Sequence, residues 1–134
     1  MWDEIDRAFN VAGKPVIFAW GDTIYNPEGV SLSKELHAHE EIHGARQLAH
    51  LPDDEHLAGV EGWWQRYIAD AGFRLLEEIP AHHAEYRAFC KRHAGTSARQ
   101  NALRAIASKL ASPLYGGLVS TGAAVDMVLL GRAA

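Results

Sequence analysis

His39-Glu40-Glu41-Ile42-His43 sits inside Ser33-Lys34-Glu35-Leu36-His37-Ala38-His39-Glu40-Glu41-Ile42-His43-Gly44-Ala45-Arg46-Gln47-Leu48. On an α-helix, residues four apart lie one above the other. His39 and His43 can then aim two imidazoles at one ion. Glu40 is rotated toward the side where a metal-activated water would lie, so two histidines and one carboxylate offer a pair of ligands and a general base. Ser31 or Ser33 can cap the helix, and Leu36, Ile42 and Leu48 are expected to give it a buried side.

A catalytic zinc needs a third protein ligand and an open position. His50 lies seven residues beyond His43, about 10 Å along the axis, too far to share an ion. His37 points about 160° away from His39 on the helical wheel. Positions 46 and 49, where a glycine and a third histidine would extend the motif, hold Arg46 and Ala49. A later segment is more promising. Asp70 reads as the N-cap of a long helix from Ala71 to Arg92, and Glu78, His82 and Glu85 share one stripe of it. Any of the three can complete the site. Glu77, about 100° round from Glu78, is expected to face solvent. Pro80 removes a backbone donor and should kink the helix near Leu76.

The rest of the chain reads outward from these two helices. Trp2, Ile5 and Phe9 mark a short amphipathic helix over residues 2–12, with Gly13 as its stop. Pro15–Trp20 and Thr23–Tyr25 read as two strands joined at Gly21-Asp22. Such a hairpin is marginal alone and must pack on helices, although the strand at 16–20 offers an edge for an extended peptide. Asp53 or Asp54 can start a helix carrying Trp63, Trp64, Tyr67 and Ile68, aromatics best read as core. Gly95-Thr96-Ser97 opens a helix bearing Leu103, Ile106 and Leu110, and residues 121–130 read as a last short one. The expected fold is α+β, mostly helical, with a short hairpin on a helical core in one domain, residues 1–134.

Composition narrows the function. A net charge of −4 carries no nucleic-acid footprint. The apolar run 114–130 is broken by glycines and holds Asp126, so it predicts core or a partner interface, not a membrane span. The single Cys90 excludes an internal disulfide framework, fits a reducing compartment, and reads as a buried small apolar residue. Met1-Trp2-Asp3-Glu4-Ile5-Asp6-Arg7 lacks the apolar core of a signal peptide.

His39-Glu40-Glu41-Ile42-His43, followed by Glu78-Ile79-Pro80-Ala81-His82, resembles the compact gluzincin-type HExxH zinc metallopeptidases. The flanks Trp20–Pro27 and Ala111–Gly116 look like small uncharacterised proteins of tailed phages and prophages. The resemblance implies a zincin-like core, a Zn2+ cofactor, His39, His43 and Glu78 as ligands, and Glu40 as base. It makes His82 a group that either supports the ligands or stabilises an oxyanion. Glu41 and Pro80 depart from the family pattern. The implied function is a small zinc-dependent peptidase acting on a peptide or protein. The alternative is a virion or assembly component, contacting phage structural proteins, with a structural or degenerate zinc site. Host cytoplasm or virion is the expected location. Tyr115, with Tyr86 and His82, is a candidate donor to the oxyanion.

Overall fold

In a computed structural model, residues 1–133 are described. These described residues fold into six α-helices and one hairpin: α1 (Trp2–Phe9), β1 (Phe18–Trp20), β2 (Thr23–Tyr25), α2 (Lys34–Leu48), α3 (Gly59–Ala69), α4 (Ala71–Arg92), α5 (Thr96–Leu110) and α6 (Thr121–Leu130). A 3-10 turn, Pro113–Tyr115, links α5 to α6. This is the mostly helical α+β fold the sequence predicts. The strands pair antiparallel with Ala19 opposite Ile24, and Gly21 takes a positive φ of 60° in the turn, where glycine costs least. The second strand keeps its expected bounds, the first is shorter than the apolar run from Pro15 suggests, and α1 stops at Asn10, in the left-handed conformation, before Gly13.

Capping sets the helix starts. The Ser33 hydroxyl accepts from the Leu36 amide at 3.1 Å, and Asp70 accepts from the Phe73 amide at 3.0 Å. Asp53 does not start α3. Its carboxylate takes the amides of Glu55 and His56 in a local turn, and the helix begins only at Gly59. Pro80 lies inside α4, which runs unbroken to Arg92. The Leu76 carbonyl that loses its partner lies on a face where Leu76 is itself exposed, so water can satisfy it.

Two apolar clusters flank α4. One gathers Ile5, Trp63, Trp64 and Tyr67 from α1 and α3, joined by Phe18 and Trp20 of the hairpin. The other gathers Leu75 and Ile79 of α4, Ile106, Ala107 and Leu110 of α5, Tyr115, and Ala124 and Val128 of α6. The apolar run 114–130 thus divides between core and surface, since Leu114, Leu118, Leu129 and Leu130 are exposed. Among the described residues no helix is long and apolar enough to cross a membrane. Cys90 is half-buried.

Helix α2 inverts the expected pattern. Its buried residues are His39, Glu40, His43, Gly44 and Gln47, while Leu48 is 63 % exposed and Leu36 and Ile42 are only half-buried. A helix that turns its polar stripe inward must find a partner for each group it hides. Ile79, 1 % exposed where α4 meets α5 and α6, should cost about 2–5 kcal/mol when changed to Ala, read from the urea midpoint at unchanged m-value.

Candidate metal centre

Helices α2 and α4 make the most extensive helix–helix contact in the fold, and the polar stripe of α2 meets the Glu78 face of α4 there. His39 Nε2 and His43 Nε2 stand 3.1 Å apart. Glu78 closes the triangle, with Oε2 3.2 Å from His39 Nε2 and Oε1 3.2 Å from His43 Nε2. Ligands held tetrahedrally at zinc-like bond lengths are separated by about 3.3 Å. The three side chains are buried, at 6 %, 5 % and 3 % exposure.

These contacts are close without being a satisfied hydrogen-bond set. Glu78 Oε2 is buried and accepts no hydrogen bond, although an imidazole nitrogen lies 3.2 Å away. The candidate donor atoms of His39, His43 and Glu78 all lie within 4.8 Å of one another. Imidazole nitrogen with carboxylate oxygen is a donor set suited to a divalent transition metal, so the residues present fit such an ion. His39, His43 and Glu78 form one group able to hold a metal, and His39, His82 and Glu85 form the other among the described residues. Of the three candidates for third ligand, Glu78 is the one that meets both histidines.

The second group supports the first. Glu85 Oε1 lies 2.9 Å from His39 Nδ1 and 3.1 Å from His82 Nδ1. A carboxylate accepting from Nδ1–H leaves the Nε2 lone pair of His39 free to coordinate. His82 is fully buried, with Nε2 3.5 Å from Glu78 Oε2 and its ring against Tyr115. It does not line the cavity beside the site. Of its two expected roles, the geometry fits support of the ligands and not contact with an oxyanion. Tyr86 packs on the α4–α5–α6 cluster, also outside the cavity. Tyr115 does line it, together with Glu40, His39 and His43.

Helix α3 backs the ligands, a role the aromatics did not advertise in sequence. Tyr67 donates its hydroxyl hydrogen to Glu78 Oε1 and stacks on Trp63 at 4.7 Å. The His43 ring rests against both. Glu77, expected in solvent, is 5 % exposed. It accepts from Trp63 Nε1 at 2.6 Å and from Arg46 Nε at 3.0 Å, tying α3, α4 and α2 together one residue before Glu78. His50 packs against Phe73, away from the ligands.

A cavity of about 330 Å³ opens beside the ligands. Glu40, His39, His43, Glu78, Glu85 and Tyr115 line it together with apolar side chains of the N-terminal segment and β1 such as Ile5 and Phe18. The edge of β1 is not free for a peptide at Ala19, because its carbonyl already accepts from Gln47 Nε2 at 3.0 Å and Trp64 Nε1 at 3.1 Å.

Burial drives the electrostatics. It raises the Glu40 carboxyl above its ordinary range, partly offset by His43 and His39. Burial would depress His39, but the Glu78 and Glu85 carboxylates outweigh it and raise the imidazole to about 10. Burial opposes ionisation of Glu78 too, yet His43 and His39 hold it well below the carboxylate range, while the same two-histidine logic takes Glu85 to about 2 through His39 and His82. Burial lifts the Tyr115 and Tyr67 phenols, so both stay protonated at neutral pH.

No known family model, no curated protein and no solved structure matches the chain.

Two outcomes follow from this charge arrangement. His39 stabilises the metal-free fold fully below its ordinary 6.5, a contribution lost as pH rises toward about 10; Glu78 and Glu85 contribute above 4.5 and lose it as pH falls. The Tm of chelator-treated protein should therefore peak between pH 4.5 and 6.5. Zinc added near pH 7 should release about one proton, from His39, measured as the dependence of calorimetric heat on buffer ionisation enthalpy.

Proposed function

We propose that the chain is a small zinc-dependent peptidase, with His39, His43 and Glu78 as ligands and Glu40 as general base. The observation that carries this reading is the buried cluster of two Nε2 atoms 3.1 Å apart, each 3.2 Å from a different oxygen of Glu78, set beside a cavity lined by Glu40. Three protein donors leave a fourth coordination position for solvent. His82 and Glu85 do not join the His39–His43–Glu78 group, which favours hydrolysis over a closed structural site in a virion or assembly component.

When bound, zinc supplies Lewis acidity, bringing the pKa of water toward neutrality and polarising a carbonyl. The chain's own residues do the rest. Glu40, buried and lining the cavity beside the histidines, takes a proton from the attacking water and passes it to the leaving amine. Its environment raises its carboxyl, which suits a group that must hold a proton between these steps. Glu85 and Tyr67 keep His39 and Glu78 oriented. Tyr115, protonated and facing the cavity, is placed to donate to a developing oxyanion. The substrate is a peptide or protein, and phage structural proteins are the class that the resemblance of the flanks puts first for testing.

Glu40→Gln should keep zinc and lose hydrolysis by about 10²–10⁴. His43→Ala should lose the metal itself. Zinc content by atomic absorption and cleavage of a quenched peptide library check both, and protein that takes up no zinc overturns the proposal.

A further inference from the structure

Gln47 is fully buried, an uncommon position for an amide. It lies one turn beyond His43, at i+7 from Glu40, and Gly44 lies between them at i+4. Its two ends grip the hairpin. Gln47 Oε1 accepts from the Gly21 amide at 2.7 Å, and Nε2 donates to the Ala19 carbonyl at 3.0 Å. Gly44 lets the turn come this close: a Cβ there would lie 2.1 Å from the Gly21 carbonyl oxygen. Across the pair Ala19↔Ile24, next to the turn pair Trp20↔Thr23, the Ala19 backbone groups point away from β2 and toward α2. Glu40, Gly44 and Gln47 share one stripe of α2 facing this strand, and Glu40 and Ala19 line the same cavity.

We propose that Gln47 is a positioning residue for Glu40: its side-chain amide, seated by Gly44, fixes β1 on α2 so that the Ala19 backbone stands beside the Glu40 carboxyl at the cavity wall. The assignment rests on the reading of Glu40 as base. It extends the sequence motif by four residues, to His39-Glu40-x-x-His43-Gly44-x-x-Gln47. Each added residue has its own task. Gly44 supplies clearance and Gln47 supplies both a donor and an acceptor. Neither touches the ligand atoms, so the metal and the base are held by separate contacts.

The test uses the full chain, zinc-loaded, with fluorophore-labelled casein as substrate. Gln47→Met keeps the volume and removes both hydrogen bonds. Gly44→Ala displaces the turn and keeps the amide, and serves as the second variant if the first does not fold. Each should hold zinc within about threefold of the parent and lose about tenfold or more in kcat, as misplacement of a catalytic group does. Equal losses in zinc affinity and kcat would mark a merely structural role and overturn the proposal. The Ala19 amide resonance gives a reading independent of turnover. Glu40→Gln should shift it in the parent and leave it nearly unmoved in the Gln47→Met or Gly44→Ala background. An Ala19 resonance that answers Glu40→Gln equally in all backgrounds defeats the assignment. If the parent binds zinc but cleaves nothing, the peptidase reading fails, and this resonance alone judges whether Gln47 positions Glu40.

Discussion

A carboxylate buried between two imidazoles governs this fold. Glu78 is 3 % exposed, and ionised carboxylates pay heavily for leaving water unless the interior pairs them. Its partners come from α2, 35 and 39 residues earlier in the chain. The two helices must therefore pack in one register, with His39 and His43 of α2 against Glu78 of α4. A shift by a single residue would turn His39 and His43 by about 100° and strand the charge. The polar contact thus fixes the rotational setting that apolar packing alone leaves loose.

The neighbouring carboxylate shows how that register is reinforced. Glu77 and Glu78 point about 100° apart, yet both are buried, because α4 is covered on two sides. Glu78 faces α2, and Glu77 reaches the seam where Arg46 of α2 and Trp63 of α3 meet. Trp63 then stacks on Tyr67, whose hydroxyl returns to Glu78. Two adjacent acids close a loop of contacts through three helices. The cluster of α5 and α6 packs on Leu75 and Ile79 of the same helix, apart from this loop of contacts.

Much of this was legible in sequence, and the failures share one cause. The spacing of His39 and His43, the cap at Asp70 and the stripe of Glu78, His82 and Glu85 are local patterns, and the structure keeps them. The long helix runs from Ala71 to Arg92 and the last from Thr121 to Leu130, as periodicity and capping foretell. Glu77, Gln47 and Leu48 were misjudged or passed over because a wheel reports what faces what within one helix, and says nothing of which side a neighbour will cover. The hydropathy of α2 pointed Leu48 inward, whereas tertiary contact gave that place to Gln47. Asp53 failed for a nearer reason: its carboxylate found two amides and a histidine in its own turn before a helix could use it.

The inverted face of α2 is itself an argument about purpose. Hiding two imidazoles, a carboxylate and an amide while leaving a leucine in water lowers stability relative to the reverse arrangement. A structural helix gains nothing from that exchange, since apolar residues of similar volume would pack as well or better. The amide recovers its cost through protein partners, but four buried side-chain atoms among the described residues have no hydrogen bond: His43 Nδ1, Glu78 Oε2, His82 Nε2 and His50 Nε2. The first two belong to residues of the donor triangle and the third faces Glu78, while His50 lies apart against Phe73. Three of the four unmet groups thus gather where α2 meets α4, and it is there that the fold gives up most stability to its polar interior.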